Sequence, residues 1–223
     1  MPQKFDRIFA MAAERKGGQE VLEKLLPHPK SAAAMTRIPD DRWLAAMTRS
    51  VFQAGFSWKV IETKWPGFEE AFWGFDVGRC SMMSDAEFDA LVKDTRIVRN
   101  AAKIRSVAEN ATFLRELAAE HGSAAKAFAN WPAEDFVGLI MLIKKRASRL
   151  GGTSGQYFLR TMGIESFVLT RDVVRALIRE GVVEKDPTSQ RDLAKVQAAF
   201  NAWRAESGRS LSEISRTLAA SVG

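Results

Sequence analysis

Apolar residues recur at helical spacing through almost the whole chain, whereas the apolar–polar alternation typical of strands is nearly absent. The first such segment, residues 4–16, has one apolar face and ends at Gly17-Gly18, which suits a helix C-terminus. Two acidic residues follow Pro39, as expected in the first turn of a helix. The chain is therefore predicted to be all-α, with about nine or ten helices. These helices are predicted over 4–16, 19–26, from Pro39, from Ser84, over 97–121 (as one or two helices), from Pro132, over 154–162, 171–180 and 193–203, and from Ser210.

Composition places the chain among ordinary globular proteins. It has 223 residues, of which 46% are apolar and 27% charged. The single cysteine, Cys80, excludes an intramolecular disulfide framework and a Cys-rich zinc or iron–sulfur site. The longest apolar run, residues 136–143, is far shorter than the roughly 20 residues of a membrane helix. The N-terminus lacks a secretory signal pattern, so we expect a soluble cytoplasmic protein with no membrane partner.

The charge distribution points to one basic stretch. Lys and Arg number 33 against 27 Asp and Glu, which gives a net charge of +6. A total of this size is only weakly indicative of a nucleic-acid partner. Residues 141–163, however, contain no acidic residue and five basic ones: Lys144, Lys145, Arg146, Arg149 and Arg160. This single-sign stretch is where a polyanion is predicted to bind.

A glycine-rich turn lies inside the basic stretch and precedes a predicted helix. It consists of Gly151, Gly152, Thr153, Ser154 and Gly155. Small residues allow close backbone approach, and the free amides of a helix N-terminus bind anions. A phosphate of a DNA backbone is thus a suitable ligand for this turn. The alternative is a plain turn between two helices with a solvated basic face.

An aromatic segment follows the helix that is predicted from Pro39. Phe52 to Trp58 contains Gly55, which is predicted to break the helix, and Trp65 and Trp73 come soon after. Aromatic faces beside a helix break can form a slot for a planar, particularly a cationic, base. The alternative is that these aromatics are core residues.

Few other residues suggest chemistry. Asp172 follows the glycine turn by one helix and stands at the predicted start of the next, where it can serve as a helix cap or charge partner. His28 and His121 are far apart in loop-like sequence, and Cys80 has no nearby histidine. A catalytic triad and a metal site are both disfavoured, so no metal and no cofactor is predicted.

Several short motifs, taken in order, resemble the DNA-3-methyladenine glycosylase I family. They run from about Arg42 to Arg175: Gln53 to Trp58, Phe72 with Phe75-Asp76, Ile97-Val-Arg99 with Lys103-Ile104 and Asn110, and Lys144-Lys-Arg146 with Gly152-Thr153-Ser154 and Tyr157. Residues 150–175 also resemble the helix-hairpin-helix and following loop of the wider glycosylase superfamily.

The resemblance implies a two-lobed helical DNA glycosylase fold with a helix-hairpin-helix motif and a base-binding cleft between the lobes. It implies hydrolysis of the N-glycosidic bond of 3-methyladenine in double-stranded DNA, in base-excision repair of alkylation damage and without lyase activity. We expect one glycosylase-like domain over 1–223 and a monomeric protein. Within it we expect an N-terminal helical extension over 1–40, a family-like core over 42–183 with the hairpin near 144–163, and a C-terminal helical extension over 184–223.

The resemblance also assigns roles to residues. Trp58 matches a tryptophan that stacks on the base, Phe56 occupies the apolar position beside it, and Gln53 matches a family glutamine. The expected DNA contacts are Gly152, Thr153, Ser154 and Gly155 of the hairpin and the basic residues Lys144, Lys145 and Arg149.

Two departures from the family pattern affect these expectations. Ser50 stands where a family glutamate hydrogen-bonds the methylated base, so substrate identity is open. The family's zinc ligands are missing, with Asp172 and Ala176 at the C-terminal ligand positions. Asp172 is also the catalytic candidate, because the superfamily's catalytic aspartate aligns two residues before it, at Thr170. The alternatives are a non-catalytic DNA-damage-binding protein of the same fold and a glycosylase for another lesion that uses Asp172.

Overall fold

A computed structural model describes residues 4–222, and within them the chain forms helices and no strand. The all-α prediction is confirmed. The α-helices are α1 (Phe5–Lys16), α2 (Gln19–Glu23), α3 (Ala32–Met35), α4 (Asp40–Gln53), α5 (Trp58–Ala71), α6 (Val77–Ser81), α7 (Asp85–Lys93), α8 (Ala101–His121), α9 (Ala124–Ala129), α10 (Phe136–Arg146), α11 (Thr153–Met162), α12 (Arg171–Arg179), α13 (Gln190–Ser207) and α14 (Leu211–Ala220). Single-turn helices span Trp73–Phe75 and Ala133–Asp135. None of the described helices is both long and apolar enough to cross a membrane.

Most helix ends lie where the sequence signals put them. Gly17 ends α1 in the left-handed conformation, with φ of 88°. Ser84 and Ser210 each form a complete capping box, at α7 and α14. Helix α8 begins at Ala101 rather than near Ile97, because the Asn100 side chain accepts a hydrogen bond from the Lys103 amide and caps the helix there.

Four helices were not predicted from the pattern, and α5 is the one that matters for function. Pro66 lies inside α5, and proline normally ends a helix because it lacks the amide hydrogen. The turn between α4 and α5, Ala54 to Ser57, contains Gly55 with φ of 75°, so the predicted helix break is confirmed. The others, α3, α6 and α9, have six residues or fewer.

The chain divides into two compact units. The terminal unit contains residues 4–30, 131–139 and 163–222 of the described chain. In it α1 packs against α13 and α14, and α12 packs against α14. Phe167 stacks on Phe200 with ring centroids 4.4 Å apart. Both predicted terminal extensions contribute to this unit; their boundaries, at residues 40–42 and 183–184, stay a prediction.

The central unit contains residues 31–130 and 140–162. Its longest helix, α8, packs against α4, α6 and α9, and α11 packs against α4. Trp43 of α4 is fully buried, stacks on Phe128 at 4.7 Å and meets Phe158 edge-on at 6.0 Å. This aromatic core joins α4, α9 and α11, so the predicted base-binding and hairpin segments belong to one unit.

Candidate nucleic-acid interface

The glycine-rich turn joins α10 to α11 and presents the N-terminus of α11. Gly155 is buried, and a Cβ there would lie 2.2 Å from the Leu150 carbonyl oxygen, so packing of the turn requires glycine. Gly152 is exposed, and a Cβ there would meet nothing within 4 Å. Thr153 is exposed and Ser154 is half-buried. Gly152, Thr153 and Ser154 can therefore meet a ligand, whereas Gly155 shapes the turn.

A buried asparagine holds the loop between the two helices. Asn110 of α8 is fully buried; its Oδ1 accepts from the Ser148 amide at 2.7 Å, and its Nδ2 donates to the Ser148 carbonyl at 3.2 Å. The Asn110 side chain thus supplies a hydrogen-bond partner to both the backbone amide and the backbone carbonyl of Ser148. Sequence reasoning had noted Asn110 only as part of the family resemblance.

The basic stretch has fewer unpaired positive charges than its composition indicates. Arg146 donates to Glu116 at 3.1 Å and to Glu120 at 2.7 Å, so its charge is matched by acidic residues of α8. Lys144, Lys145 and Arg149 are exposed. Arg149 has φ of 61°, a left-handed conformation that favours glycine. The free positive charge of the turn therefore comes from these three residues.

Lys103 organises the turn that follows α4. Its buried ammonium donates to the carbonyls of Val51 at 2.8 Å, Phe52 at 3.3 Å and Ala54, which are among the last acceptors of that helix. It also lies 4.5 Å from the centroid of the Phe56 ring. Burial, with a smaller contribution from the charge of Arg149, lowers the pKa of Lys103.

Two of the predicted base-binding aromatics are exposed. Trp58, the first residue of α5, is 56% exposed and Phe56 is 40% exposed. The Trp58 ring meets the Tyr157 ring edge-on, with centroids 6.1 Å apart. Tyr157 belongs to α11, so the aromatic surface continues onto the hairpin. Trp65 instead is half-buried and stacks on Phe68 and Phe75.

A cavity of ≈ 190 Å³ lies between α4 and α5, with Thr161 of α11 also in its wall. Ser50 and Gln53, two of the predicted base-binding residues, line it, whereas Trp58 and Phe56 do not. Its charged and aromatic lining consists of Arg42, Arg49, Trp65 and Glu69. Of these four, sequence reasoning had considered only Trp65, as part of the aromatic segment.

The cavity wall is a network of paired side chains. Arg42 donates to both carboxylate oxygens of Glu69, at 2.9 and 3.0 Å, and the Trp65 indole donates to Glu69 Oε1 at 2.9 Å. Arg49 lies over the Trp65 ring, 4.0 Å from its centroid, and 3.6 Å from Glu62. The spacing of Glu62, Trp65 and Glu69, which places them on one face of a helix, is the signal that could have found them.

Glu69 stays ionised in this setting. Burial on its own raises the pKa of the carboxyl, but the hydrogen bonds from Arg42 and Trp65 and the charge of Arg42 outweigh it, and the net shift is downward. The cavity therefore contains a carboxylate with a fixed orientation.

Asp172 belongs to the terminal unit and has a different environment. It is exposed in the first turn of α12, and its nearest ionic partner is Arg175, at 4.0 Å. The side chain that caps α12 is Thr170, which accepts from the Val173 amide at 3.3 Å. Asp172 is therefore a charge at a helix N-terminus, and the capping role belongs to Thr170.

The residues present do not fit the family's zinc site. Cys80 is fully buried, its thiol donates to the Phe72 carbonyl at 3.4 Å, and burial raises its pKa to about 12. Within residues 4–222 no group of three His, Cys, Asp or Glu side chains could hold a metal ion.

A second cavity, of ≈ 620 Å³, lies in the terminal unit, where the charged side chains in its wall are already paired. Arg204 bonds Glu134 and Glu165 at 2.6 and 2.9 Å, and Arg209 lies 3.5 Å from Glu213. Both arginines in the wall are therefore paired with carboxylates.

The comparisons with known proteins agree on the family. Residues 34–138 match the methyladenine glycosylase family, so the recognition made from the sequence is confirmed. Over 59 residues the chain is 32% identical to the DNA-3-methyladenine glycosylase of Haemophilus influenzae; the match covers 26% of this chain and about a third (32%) of that protein.

The structure is similar to solved structures of DNA glycosylases. The 8-oxoguanine DNA glycosylase of Methanocaldococcus jannaschii matches with a TM-score of 0.55 and 14% identity, covering 94% of this chain and 90% of the other. A 3-methyladenine DNA glycosylase I matches with a TM-score of 0.47 and 20% identity, covering 60% and 80% respectively. The first of these shows that the chain shares a helical fold with a DNA glycosylase.

Proposed function

Because residues 34–138 match the methyladenine glycosylase family, we propose that this chain is a monofunctional DNA glycosylase that removes 3-methyladenine from double-stranded DNA. The observation that carries this proposal is the exposed aromatic surface beside the hairpin. Trp58 offers an uncovered indole, and its edge-on neighbour Tyr157 lies on the helix that the glycine turn begins. A planar base and a DNA backbone could therefore be bound by one unit.

The turn between α10 and α11 binds the DNA backbone. The N-terminal amides of α11 and the side chain of Thr153 meet a backbone phosphate, and Lys144, Lys145 and Arg149 add positive charge around it. These contacts are independent of base sequence. They set the register of the protein on the duplex.

The target base is turned out of the duplex and stacked on Trp58. N3-methylated adenine is cationic, and an aromatic face attracts a cation by about 0.5–2 kcal/mol. Phe56 adds apolar contact beside the stack. Gln53, whose Nε2 donates to Glu62 at 3.2 Å, contributes an amide that reads the base edge.

The chemistry requires little acid catalysis, since the base already carries the positive charge that makes it a good leaving group. Water adds to C1′, the bond from C1′ to the base nitrogen breaks, and the electrons of that bond neutralise the departing base. The proton of the water passes to a carboxylate or to solvent; Asp172 is the candidate carboxylate. The products are free base and an abasic site.

The proposal is tested by incubating methylated duplex DNA with the protein, without added metal, and separating the released bases by chromatography. Release of free 3-methyladenine is the expected result. Retention of every methylated base by folded protein that still binds the duplex would replace the proposal with a damage-binding protein that does not excise.

A further inference from the structure

The Lys103 ammonium joins α8 to the turn between α4 and α5. Its three N–H donors are used on the carbonyls of Val51, Phe52 and Ala54, at the C-terminal end of α4. Because an ammonium has only three donors, Lys103 has none left for a DNA base. Any influence of Lys103 on a bound base is therefore transmitted through the turn.

The turn depends on Lys103 because its own residues pack little. Residues 54–57 are all exposed, and the Ser57 side chain makes no hydrogen bond that caps α5. The Phe56 ring lies 4.5 Å from the Lys103 ammonium, a cation–π contact from below the exposed surface. Trp58, the first residue of α5, follows the turn directly. The orientation of its indole is thus set by the backbone that Lys103 holds.

The same face of α8 also holds the loop that leads to the hairpin. Asn110 comes seven residues after Lys103, and both side chains are buried. Asn110 bonds the amide and the carbonyl of Ser148, which precedes the proposed DNA contact Arg149. At 1.5 Å per residue the two anchors lie about 10 Å apart along the helix. One helix face therefore fixes the separation of the turn and the loop, which belong to one compact unit.

We propose that Lys103 is a positioning residue for the target base: it holds the turn of residues 54–57 so that Trp58 and Phe56 receive the base at a fixed distance from the hairpin. This inference rests on the proposed function for the identity of the base. Excision requires the base and its sugar to be fixed relative to the backbone contacts, and a misplacement of about 1 Å can lower a rate by about 100-fold. Binding of undamaged duplex uses the hairpin and not the turn.

The test uses Lys103→Met, which keeps an apolar stem and removes the ammonium. The single-turnover rate of 3-methyladenine release should fall by between about tenfold and 100-fold. Affinity for undamaged duplex should stay close to that of the wild type. Amide hydrogen exchange of residues 54–58 should become faster, and that of residues 148–155 should not. A role in stability alone would leave both the rate and the affinity of the folded variant unchanged.

Arg105→Met is the matched control. Arg105 is also a cation of α8 and lies over an aromatic ring, that of Phe88, at 4.1 Å. It is exposed, however, and Phe88 belongs to α7 rather than to the turn. This variant should release the base at the wild-type rate and leave the exchange of residues 54–58 unchanged.

Lys103→Gln is the second variant, in case Lys103→Met does not fold. Its amide nitrogen is one bond closer to the backbone than the ammonium and cannot reach all three carbonyls, so the same loss of rate is expected. Release at the wild-type rate by either folded variant, unchanged exchange of residues 54–58, or a parallel loss of rate and of affinity for undamaged duplex would overturn the proposal.

A wild type that releases no base would refute the glycosylase proposal separately. The role of Lys103 is then decided by the preference of the wild type for methylated over undamaged duplex, measured by competition. Loss of this preference in the folded Lys103 variants, with Arg105→Met unaffected, would uphold the inference. A preference that survives in these variants, or its absence in the wild type, would overturn it.

Discussion

The indole of Trp58 and the ring of Tyr157 meet at 89°, with their centroids 6.1 Å apart. This contact links the start of α5 to α11, the helix that follows the glycine turn. Both residues belong to the central unit. The surface proposed to hold the base and the turn proposed to hold the DNA backbone are thus fixed to each other by direct contact.

Gly152→Asp tests the hairpin. We expect the variant to fold normally, because a side chain at residue 152 meets open space. Its carboxylate should weaken binding to every DNA sequence by about tenfold or more, since it repels the phosphate that the helix N-terminus attracts. Binding is measured by fluorescence anisotropy on several duplexes. Gly152→Ala is the control and should bind like the wild type; equal binding by folded Gly152→Asp would exclude the turn as the phosphate site.

Arg149→Gly separates DNA binding from stability. Glycine relieves the left-handed backbone at residue 149, which costs other residues roughly 1–2 kcal/mol, so the melting temperature should hold or rise. DNA affinity should fall, and the salt dependence of binding should lose about one unit of slope. Lys145→Ala should lose a similar slope without the gain in stability. Unchanged slope in Arg149→Gly would remove Arg149 from the interface.

Glu69→Gln should alter how the free energy of unfolding depends on pH in the acidic range. The pKa of Glu69 is lowered in the folded chain, so its stabilising contribution is complete above the ordinary value of 4.5 and is lost as the pH falls through the lower folded pKa. The free energy of unfolding, measured in urea from pH 6 downward, should therefore fall less steeply below about pH 4.5 in the variant than in the wild type. Parallel curves would show that the Arg42–Glu69 pair has no influence on acid stability.

Asp172→Asn tests the catalytic candidate. Asp172 is exposed in the first turn of α12, where a carboxylate contributes about 0.3–1 kcal/mol through the helix dipole. If it accepts the proton of the attacking water, the single-turnover rate of excision should fall by about 100-fold or more, with little loss of stability. A rate equal to that of the wild type, with a small loss of stability, would leave Asp172 only its structural role.

Sequence patterns predicted the helices whose signals are local. Gly17 and the capping boxes at Ser84 and Ser210 depend on residues within one turn of the helix end, and each lies where expected. Helix α5 was missed because Pro66 is unfavourable locally, while the packing of its buried residues, such as Ile61 and Phe68, outweighs that cost. Local propensity yields to tertiary contacts in such cases.

The candidate site was only partly predictable for a related reason. Gln53 and Trp58 could be named because they match a short family motif, and Ser50 because it stands where that family has a glutamate. Arg42 and Glu69 lie 27 residues apart, and their pairing depends on how α4 packs against α5. Likewise the count of five basic residues within 141–163 could not show that Arg146 is already paired with Glu116 and Glu120. Pairings across helices are set by packing, which a single sequence does not display.

The most direct test of the central claim is the single-turnover rate of 3-methyladenine release by the wild type and by Trp58→Ala, with binding to undamaged duplex measured on the same samples. The wild type should release the base. Trp58→Ala should lose most of that activity, because the stacking face is gone, and should bind undamaged duplex nearly as well, because the hairpin is intact. Excision by Trp58→Ala at the wild-type rate would contradict the assignment of Trp58 as the base platform.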